Sequence, residues 1–249
     1  MELLMMVDAA RGASAAQVTV VMPHYAYARS DKKDAPRISI GGRLVADLIH
    51  TAGAQRVLTM ALHAQQVHGF FSMPVDHLTA LPVLAEHFRN RDLSNTVIVS
   101  PDFGNAKEAN QFARMLGVGM AAGSKRRLED DRVAIDSIVG KIGGKDVIIL
   151  DDEIATAGSV VELISTVRGY NVKSISVACT HGLFSGKAVE RLNAVPDITE
   201  IVATNTVPGP EGLERLTTVS VAPLFAEAVR RINCGESVSG LFSNEVTYG

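Results

Sequence analysis

Apolar residues follow two spacings along the chain, and each spacing predicts one kind of element. Unbroken runs of Val, Ile and Leu predict buried strands at 18–22, 57–60, 96–100, 147–150, 174–178, 198–203 and 217–221. Stripes that recur every three or four residues predict helices at 3–10, 44–52, 78–88, 106–116, 160–168 and 223–232. Gly53 and Gly117 follow two of these stripes, as helix C-caps do. Because strands and helices alternate and the strands are solidly apolar, the pattern predicts an α/β fold with mainly parallel sheets.

The alternating pattern is interrupted around the segment S-M-P-V-D-H at residues 72–77. No stretch rich in Pro or Ser separates domains elsewhere, so we predict two domains, residues 1–74 and 75–249. The chain also opens directly into a helix with no strand before it. We therefore expect either a small first sheet or a chain that begins inside a larger domain.

The composition is that of an ordinary globular chain. Of 249 residues, 47% are hydrophobic and 20% are charged, which excludes a largely disordered protein. The formal net charge of −3 argues against broad electrostatic binding of nucleic acid. Charged residues interrupt every apolar run before it reaches membrane-spanning length, so we expect no membrane partner. Two cysteines make no disulfide framework and the first residues lack a basic leader, which together predict a cytoplasmic protein.

The strongest motif is the segment V-I-I-L-D-D-E-I-A-T-A-G-S at residues 147–159. An apolar strand runs into Asp151 and Asp152, and the loop Thr156, Ala157, Gly158 and Ser159 then opens a helix. Backbone N–H groups at a helix N-terminus bind phosphate, whereas adjacent carboxylates repel it. The carboxylates are better suited to sugar hydroxyls or a metal ion, so the motif favours a sugar phosphate over a free nucleotide phosphate. The alternative is a strand-end turn in which Asp caps the helix; a Walker loop is excluded because Gly-Lys-Ser/Thr is missing.

Two further segments follow predicted strands and offer weaker signals. In S-P-D-F-G-N at 100–105, Asp102 could ligate Mg²⁺ while Gly104 lets the backbone approach a diphosphate, although turns of this kind are common. In the segment 62–71, His63 could ligate a metal or could be a hydrogen-bonded structural histidine.

Two charged segments name no ligand by themselves. Ser124–Arg132 contains Lys125 and Arg127 and is either a solvated loop or a cationic lid that neutralises charge in a transition state. Residues 28–34, A-R-S-D-K-K-D, form another exposed charged loop after a strand.

Taken in order, these segments resemble ribose-phosphate pyrophosphokinase (phosphoribosyl diphosphate synthetase) along essentially the whole chain. The stretches that carry the resemblance are YARSDKKDAPRIS, AGAQRVLTMALHAQQVHGFFSMPVDHL, VIVSPDFGNAKEA, SKRR, VIILDDEIATAGS and VACTHGLFSGKAVERL. The resemblance implies two tandem domains of the type I phosphoribosyltransferase fold, the first incomplete, and assembly as hexamers. It also implies transfer of the diphosphate of Mg-ATP to the C1 hydroxyl of ribose 5-phosphate, giving AMP and 5-phosphoribosyl 1-diphosphate for nucleotide biosynthesis.

The resemblance also implies roles for individual residues, which fall into four groups. Those that match the nucleotide contacts are Arg29, Ser30, Asp31 and His63. Those at the metal sites are His63 and Asp102, and those that stabilise the transition state are Lys125 and Arg127. Those that bind the sugar hydroxyls and the 5-phosphate are Asp151, Asp152, Ala155, Thr156, Ala157, Gly158 and Ser159.

The chain departs from the family pattern at several positions. Ser30 replaces a Gln, Ala155 replaces an acid, Asn105 replaces a second glycine, and Phe103 stands where His is frequent. The family's N-terminal portion, which precedes the first helix, is missing, so we expect lower stability and poor ATP binding.

Two other functions remain open on sequence alone. One is a non-catalytic subunit that regulates a synthetase; the other is a phosphoribosyltransferase that shares the 151–159 loop. A nucleophile built from Cys179 and His181 is less favoured than packing beneath the ligand loops.

Overall fold

The computed structural model describes residues 1–127 and 133–242 and divides them into two compact units. The first unit is Met1–Thr79 and the second begins at Ala80. In the described residues, no helix is long and apolar enough to cross a membrane.

The first unit is a small parallel sheet with two helices. Among its described residues, three strands pair in the order β1-β2-β3, and both pairings are parallel. Its elements are α1 (Glu2–Gly12), β1 (Thr19–Met22), α2 (Gly41–Ala52), β2 (Arg56–Met60), a 3₁₀ turn (Gln65–Phe70) and β3 (Val75–Leu78). As predicted, α2 ends at Gly53, which has φ 110° and caps the helix in the left-handed conformation.

Strand β3 corrects the sequence-based assignment near the junction of the units. The predicted helix start at residue 78 is wrong, because Leu78 ends β3 and the next helix begins at Leu81. Pro82 occupies the first turn of that helix, where its missing N–H costs nothing. Because Asp76 and His77 are polar, the apolar pattern did not predict β3; the strand is defined by its pairing with β2. The chain accordingly divides after Thr79, whereas the sequence-based division was placed after residue 74.

The second unit is a larger mixed sheet flanked by helices. Its elements are α3 (Leu81–Arg89), β4 (Thr96–Ser100), α4 (Ala106–Leu116), β5 (Gly119–Arg127), β6 (Val133–Val139), β7 (Asp146–Ile154), α5 (Gly158–Arg168), β8 (Ser174–Gly182), α6 (Ala188–Asn193), β9 (Ile198–Thr204), β10 (Leu216–Val219) and α7 (Ala222–Cys234). Its seven described strands lie in the order β10-β9-β8-β7-β4-β5-β6. Only the pairing of β5 with β6 is antiparallel among them, so the prediction of an α/β fold with mainly parallel sheets is confirmed.

The core of the second unit explains why its central strands read as solid apolar runs. Strands β4, β7 and β8 have neighbours on both sides and are buried along most of their length. Helix α5 covers them with Val160, Leu163, Ile164 and Val167, which are all buried. A parallel sheet covered on its faces leaves its carboxyl edge as the place where polar loops gather.

Candidate active site

Strands β4 and β7 are neighbours in the second unit, and acidic residues occupy their carboxyl ends. Strand β7 is longer than the sequence predicts, since it continues through Asp151 and Asp152 to Ile154. The predicted strand ended at Leu150, whereas Asp151 is in register with Cys179 of β8. Polar residues at a strand end give no apolar signal, so only the pairing with β8 reveals their conformation.

The carboxylates at this edge repel one another. The backbone N–H of Asp152 donates to Asp151 Oδ1 at 3.0 Å. Burial, repulsion by Asp152 and a further contribution from Asp102 raise the pKa of Asp151 well above its ordinary value. A cation or a set of hydroxyl donors would relieve this repulsion, so the cluster fits an oxygen-seeking ion or a polyol.

The loop after β4 holds Asp102 in a fixed position. The buried Ser100 hydroxyl donates to the Asp102 carbonyl oxygen at 2.7 Å, and the Asn105 N–H donates to Asp102 Oδ1 at 3.1 Å. The Asn105 side-chain amide also donates to the Leu150 carbonyl at 3.4 Å, which ties this loop to β7. A Cβ on Gly104 would lie 3.0 Å from Asp102 Oδ1, so the loop has little room for a side chain there. Asn105, a departure from the family pattern, thus links the two strand ends.

The loop between β7 and α5 presents backbone donors. Ala157 has φ 59° and is the N-cap of α5, and within the described residues no N-cap side chain satisfies the first turn. The N–H groups of Gly158 and Ser159 therefore start the helix without an intrahelical acceptor. Two hydrogen bonds fix the carbonyl groups just before the loop. The Phe184 N–H donates to the Ile154 carbonyl oxygen at 3.0 Å, and the Ser185 N–H donates to the Ala155 carbonyl oxygen at 2.8 Å. The geometry is that of an anion cradle.

A buried polar network supports the ends of β8 and β9. The Thr204 hydroxyl donates to the Thr180 carbonyl at 2.7 Å, the Thr206 hydroxyl donates to the same oxygen at 3.1 Å, and His181 Nδ1 is hydrogen-bonded to Thr206 Oγ1 at 2.9 Å. Cys179 is completely buried, and that burial, with the nearby acids, raises the pKa of its thiol well above the ordinary value. A thiol held in its protonated form is a poor nucleophile, which supports the packing role for this pair.

In the first unit, the loop Arg29–Asp31 is tied to two neighbouring elements. The Gly41 N–H donates to Ser30 Oγ at 2.8 Å, and the Gly42 N–H donates to the Ser30 carbonyl at 3.0 Å. The Gln66 side chain donates to Asp31 Oδ2 at 2.5 Å from the 3₁₀ turn that follows the exposed His63. The hydroxyl of Ser30 therefore accepts a hydrogen bond from a backbone N–H at the start of α2. The sequence did not predict this structural role.

Lys125 and Arg127, the positively charged residues expected to stabilise the transition state, lie in a strand where a loop was expected. Lys125 and Arg127 belong to β5, opposite Ile135 and Val133 of β6, so the assignment of this segment to a loop is wrong as far as residue 127. The side chains of both residues, and residues 128–132 of the expected lid, lie outside the described part of the chain. Strands β5 and β6 form an antiparallel pair at the edge of an otherwise parallel sheet. The spacing of hydrophobic residues does not predict such a pair here.

The candidate metal ligands lie in separate units, with His63 in the first and Asp102 in the second. Across residues 1–127 and 133–242, no group of three or more His, Cys, Asp or Glu side chains could hold a metal ion by itself. Mg²⁺ needs no such group, since it commonly keeps several waters and takes one or two carboxylates together with substrate phosphates. The carboxylates of Asp102, Asp151 and Asp152 fit that chemistry.

Comparisons with known proteins converge on one family. The family model described as the N-terminal domain of ribose phosphate pyrophosphokinase matches residues 1–53, and the one described as a phosphoribosyl synthetase-associated domain matches residues 134–243. A Streptomyces coelicolor relative is 63% identical over 243 residues, which cover 97% of this chain and 77% of the relative. The Deinococcus radiodurans ribose-phosphate pyrophosphokinase is 53% identical over 250 residues, covering 98% of this chain and 78% of that protein.

A solved structure agrees with these sequences. The crystal structure of phosphoribosylpyrophosphate synthetase from Mycobacterium smegmatis superposes with a TM-score of 0.86 at 38% identity. The match covers 94% of this chain and 78% of that one.

Proposed function

The chain belongs to the ribose-phosphate pyrophosphokinase family, enzymes of phosphoribosyl diphosphate synthesis, and from this premise we propose its complete reaction. The diphosphate of Mg-ATP is transferred to the C1 hydroxyl of ribose 5-phosphate, which gives 5-phosphoribosyl 1-diphosphate and AMP. The C1 oxygen attacks the β-phosphorus of ATP, the bond from that phosphorus to the oxygen bridging to the α-phosphate breaks, and the hydroxyl proton passes to solvent.

One observation carries the choice of a sugar phosphate: an anion cradle and a carboxylate pair occupy the same strand end. The N–H groups from Thr156 to Ser159 lie at the start of α5, and Asp151 and Asp152 lie near the carboxyl end of β7, the strand that leads into them. In the proposal, the N–H groups bind the 5-phosphate and the carboxylates accept hydrogen bonds from the ribose hydroxyls. A free phosphate would be repelled by the acids, whereas a sugar phosphate uses both features.

The metal ion that accompanies ATP is Mg²⁺ in this proposal. Asp102, Asp151 and Asp152 are the carboxylates of the second unit that fit it, and His63 is the candidate of the first unit. Bound Mg²⁺ would offset the charge of the diphosphate. Asp102 is held by Ser100 and Asn105, so its carboxylate is positioned before any ligand arrives.

The nucleotide is bound by the first unit through Arg29, Asp31 and His63. Ser30 supports this segment through Gly41 and Gly42. We propose that Ser30, whose hydroxyl accepts the N–H of Gly41, serves ATP binding by holding the loop. Assembly as a hexamer remains a prediction that light scattering of the purified chain would test.

The transition state is stabilised by Lys125 and Arg127 in this proposal. Diphosphoryl transfer leaves the protein little covalent chemistry, so positioning and charge neutralisation supply most of the rate. Replacing Lys125 by Ala is expected to lower kcat by on the order of 10²–10³, as for other donors to a developing charge. The matched control is Lys141→Ala, which removes an exposed lysine between β6 and β7.

The test is AMP release from ATP and Mg²⁺ with and without ribose 5-phosphate. We expect sugar-dependent AMP that falls in Lys125→Ala and persists in Lys141→Ala. AMP release that does not depend on the sugar would refute the reaction. A folded chain without activity would favour the non-catalytic subunit, which co-assembly with an active synthetase would then reveal.

A further inference from the structure

A side chain from α6 contacts the phosphate loop, by which we mean residues 155–159 between β7 and α5. Arg191 Nη1 donates to the Thr156 carbonyl oxygen at 2.8 Å, 35 residues away along the chain. Helix α6 is fixed by the buried residues Ala188 and Leu192, so the backbone that carries Arg191 is anchored in the core. A Cβ on Gly158 would lie 3.7 Å from the same nitrogen, which places the guanidinium beside the first turn of α5.

The bond from Arg191 fixes the direction of a loop donor. The Thr156 carbonyl and the Ala157 N–H belong to one planar trans peptide, in which the two groups point in opposite directions. Holding the carbonyl towards α6 therefore aims the Ala157 N–H away from α6. Ser185 acts in the same way one peptide earlier, since its N–H holds the Ala155 carbonyl and so sets the direction of the Thr156 N–H.

Arg191 differs from these backbone donors in carrying a charge. A hydrogen bond from a guanidinium is stronger than one from a neutral donor and polarises the peptide that accepts it. Among the described residues no carboxylate forms an ion pair with Arg191, whereas Arg168 of α5 pairs with Asp197.

We propose that Arg191 is a positioning residue for the phosphate monoester of the sugar substrate. It holds the Thr156–Ala157 peptide so that the Ala157 N–H faces the phosphate, and its charge strengthens that donor. This inference rests on the proposed function, because it takes the 5-phosphate of ribose as the ligand of the loop.

The experiment compares Arg191→Ala, Arg191→Lys and the control Arg168→Ala in the full chain. Kinetics give the KM for ribose 5-phosphate and the KM for ATP, and calorimetry gives the Kd for ribose 5-phosphate. Because one hydrogen bond from a charged group is lost, we expect Arg191→Ala to raise the KM and Kd for the sugar phosphate about ten- to a hundredfold. The KM for ATP and the melting temperature should stay close to wild type, and Lys should recover most of the affinity.

Three results would overturn the inference. The first is an unchanged Kd for ribose 5-phosphate in Arg191→Ala. The second is an equal rise in both KM values with a lower melting temperature, which would mean a structural role only. The third is a wild-type chain that does not bind ribose 5-phosphate at all. If the wild type binds the sugar phosphate without releasing AMP, the proposed reaction fails, while the calorimetric comparison still decides the role of Arg191.

Discussion

A single methyl group added at Gly182 should disturb the loop at residues 155–159, between β7 and α5. It ends β8, and a Cβ built on it would lie 2.3 Å from Phe184 Cε2, 2.9 Å from Phe184 Cζ and 3.0 Å from Ala203 Cβ. Since carbon atoms prefer separations of 3.5–4.0 Å, the ring has to move by about 1 Å. Phe184 is buried at 5% exposure and its N–H holds the Ile154 carbonyl, so the displacement reaches the start of the loop.

The expected cost of Gly182→Ala follows from overpacking a buried site. Insertions of this kind cost about 1–3 kcal/mol of unfolding free energy. For a chain of this length each kcal/mol lowers Tm by about 2–4 °C. Because the loop moves with Phe184, we also expect the KM for ribose 5-phosphate to rise about tenfold, which corresponds to about 1.4 kcal/mol. Calorimetric melting and steady-state kinetics measure the two effects.

A second substitution separates the clash from other causes. Phe184→Leu removes Cε2 and Cζ, the two atoms nearest the added methyl group. In the double variant the destabilisation should be smaller than the sum of the single effects by at least about 1 kcal/mol, although the approach to Ala203 remains. The control is Gly119→Ala in β5, where a Cβ meets no atom within 4 Å. Additive effects, or an equal loss in the control, would refute the argument.

Two further predictions concern other parts of the chain. Ser30→Ala removes the acceptor of the Gly41 N–H, so we expect it to lower the unfolding free energy by about 0.5–2 kcal/mol, as loss of a helix cap does, and to raise the KM for ATP. Ser30→Thr keeps the hydroxyl and should preserve both the stability and the KM. An unchanged Tm and KM in the Ala variant would contradict this prediction. Hydrogen bonds from Arg230 and Arg231 lower the pKa of Glu227 to about 2, so its stabilising contribution is present above its ordinary value of 4.5 and is lost as the pH falls towards about 2. Glu227→Gln should therefore lower Tm at pH 7, with a difference that narrows below pH 4.5 in a melting series; a difference independent of pH would contradict it.

The features that the sequence predicts correctly depend on local signals. The helix stripe before Gly53 and the small residues that open α5 each obey a rule that operates within a few residues. The apolar runs of β4 and β8 likewise report their burial on both faces of the sheet.

The features that the sequence misses depend on partners distant along the chain. Strand β3 is defined by its pairing with β2, and the extension of β7 by its pairing with β8. The hydrogen bond from Arg191 to Thr156 joins residues 35 apart along the chain, and nothing in the local sequence around an exposed helical arginine predicts such a partner. Ser30 could have been found only by asking what satisfies the first N–H groups of α2.

The complete burial of Cys179 makes this thiol an internal reporter of opening. The chain has two cysteines, and Cys234 at the end of α7 is exposed. A thiol reagent should therefore label Cys234 at once, while Cys179 reacts only in molecules whose central sheet has separated. The labelling rate of Cys179 would then measure how often β8 leaves its neighbours, and a substrate that binds the closed sheet should slow it.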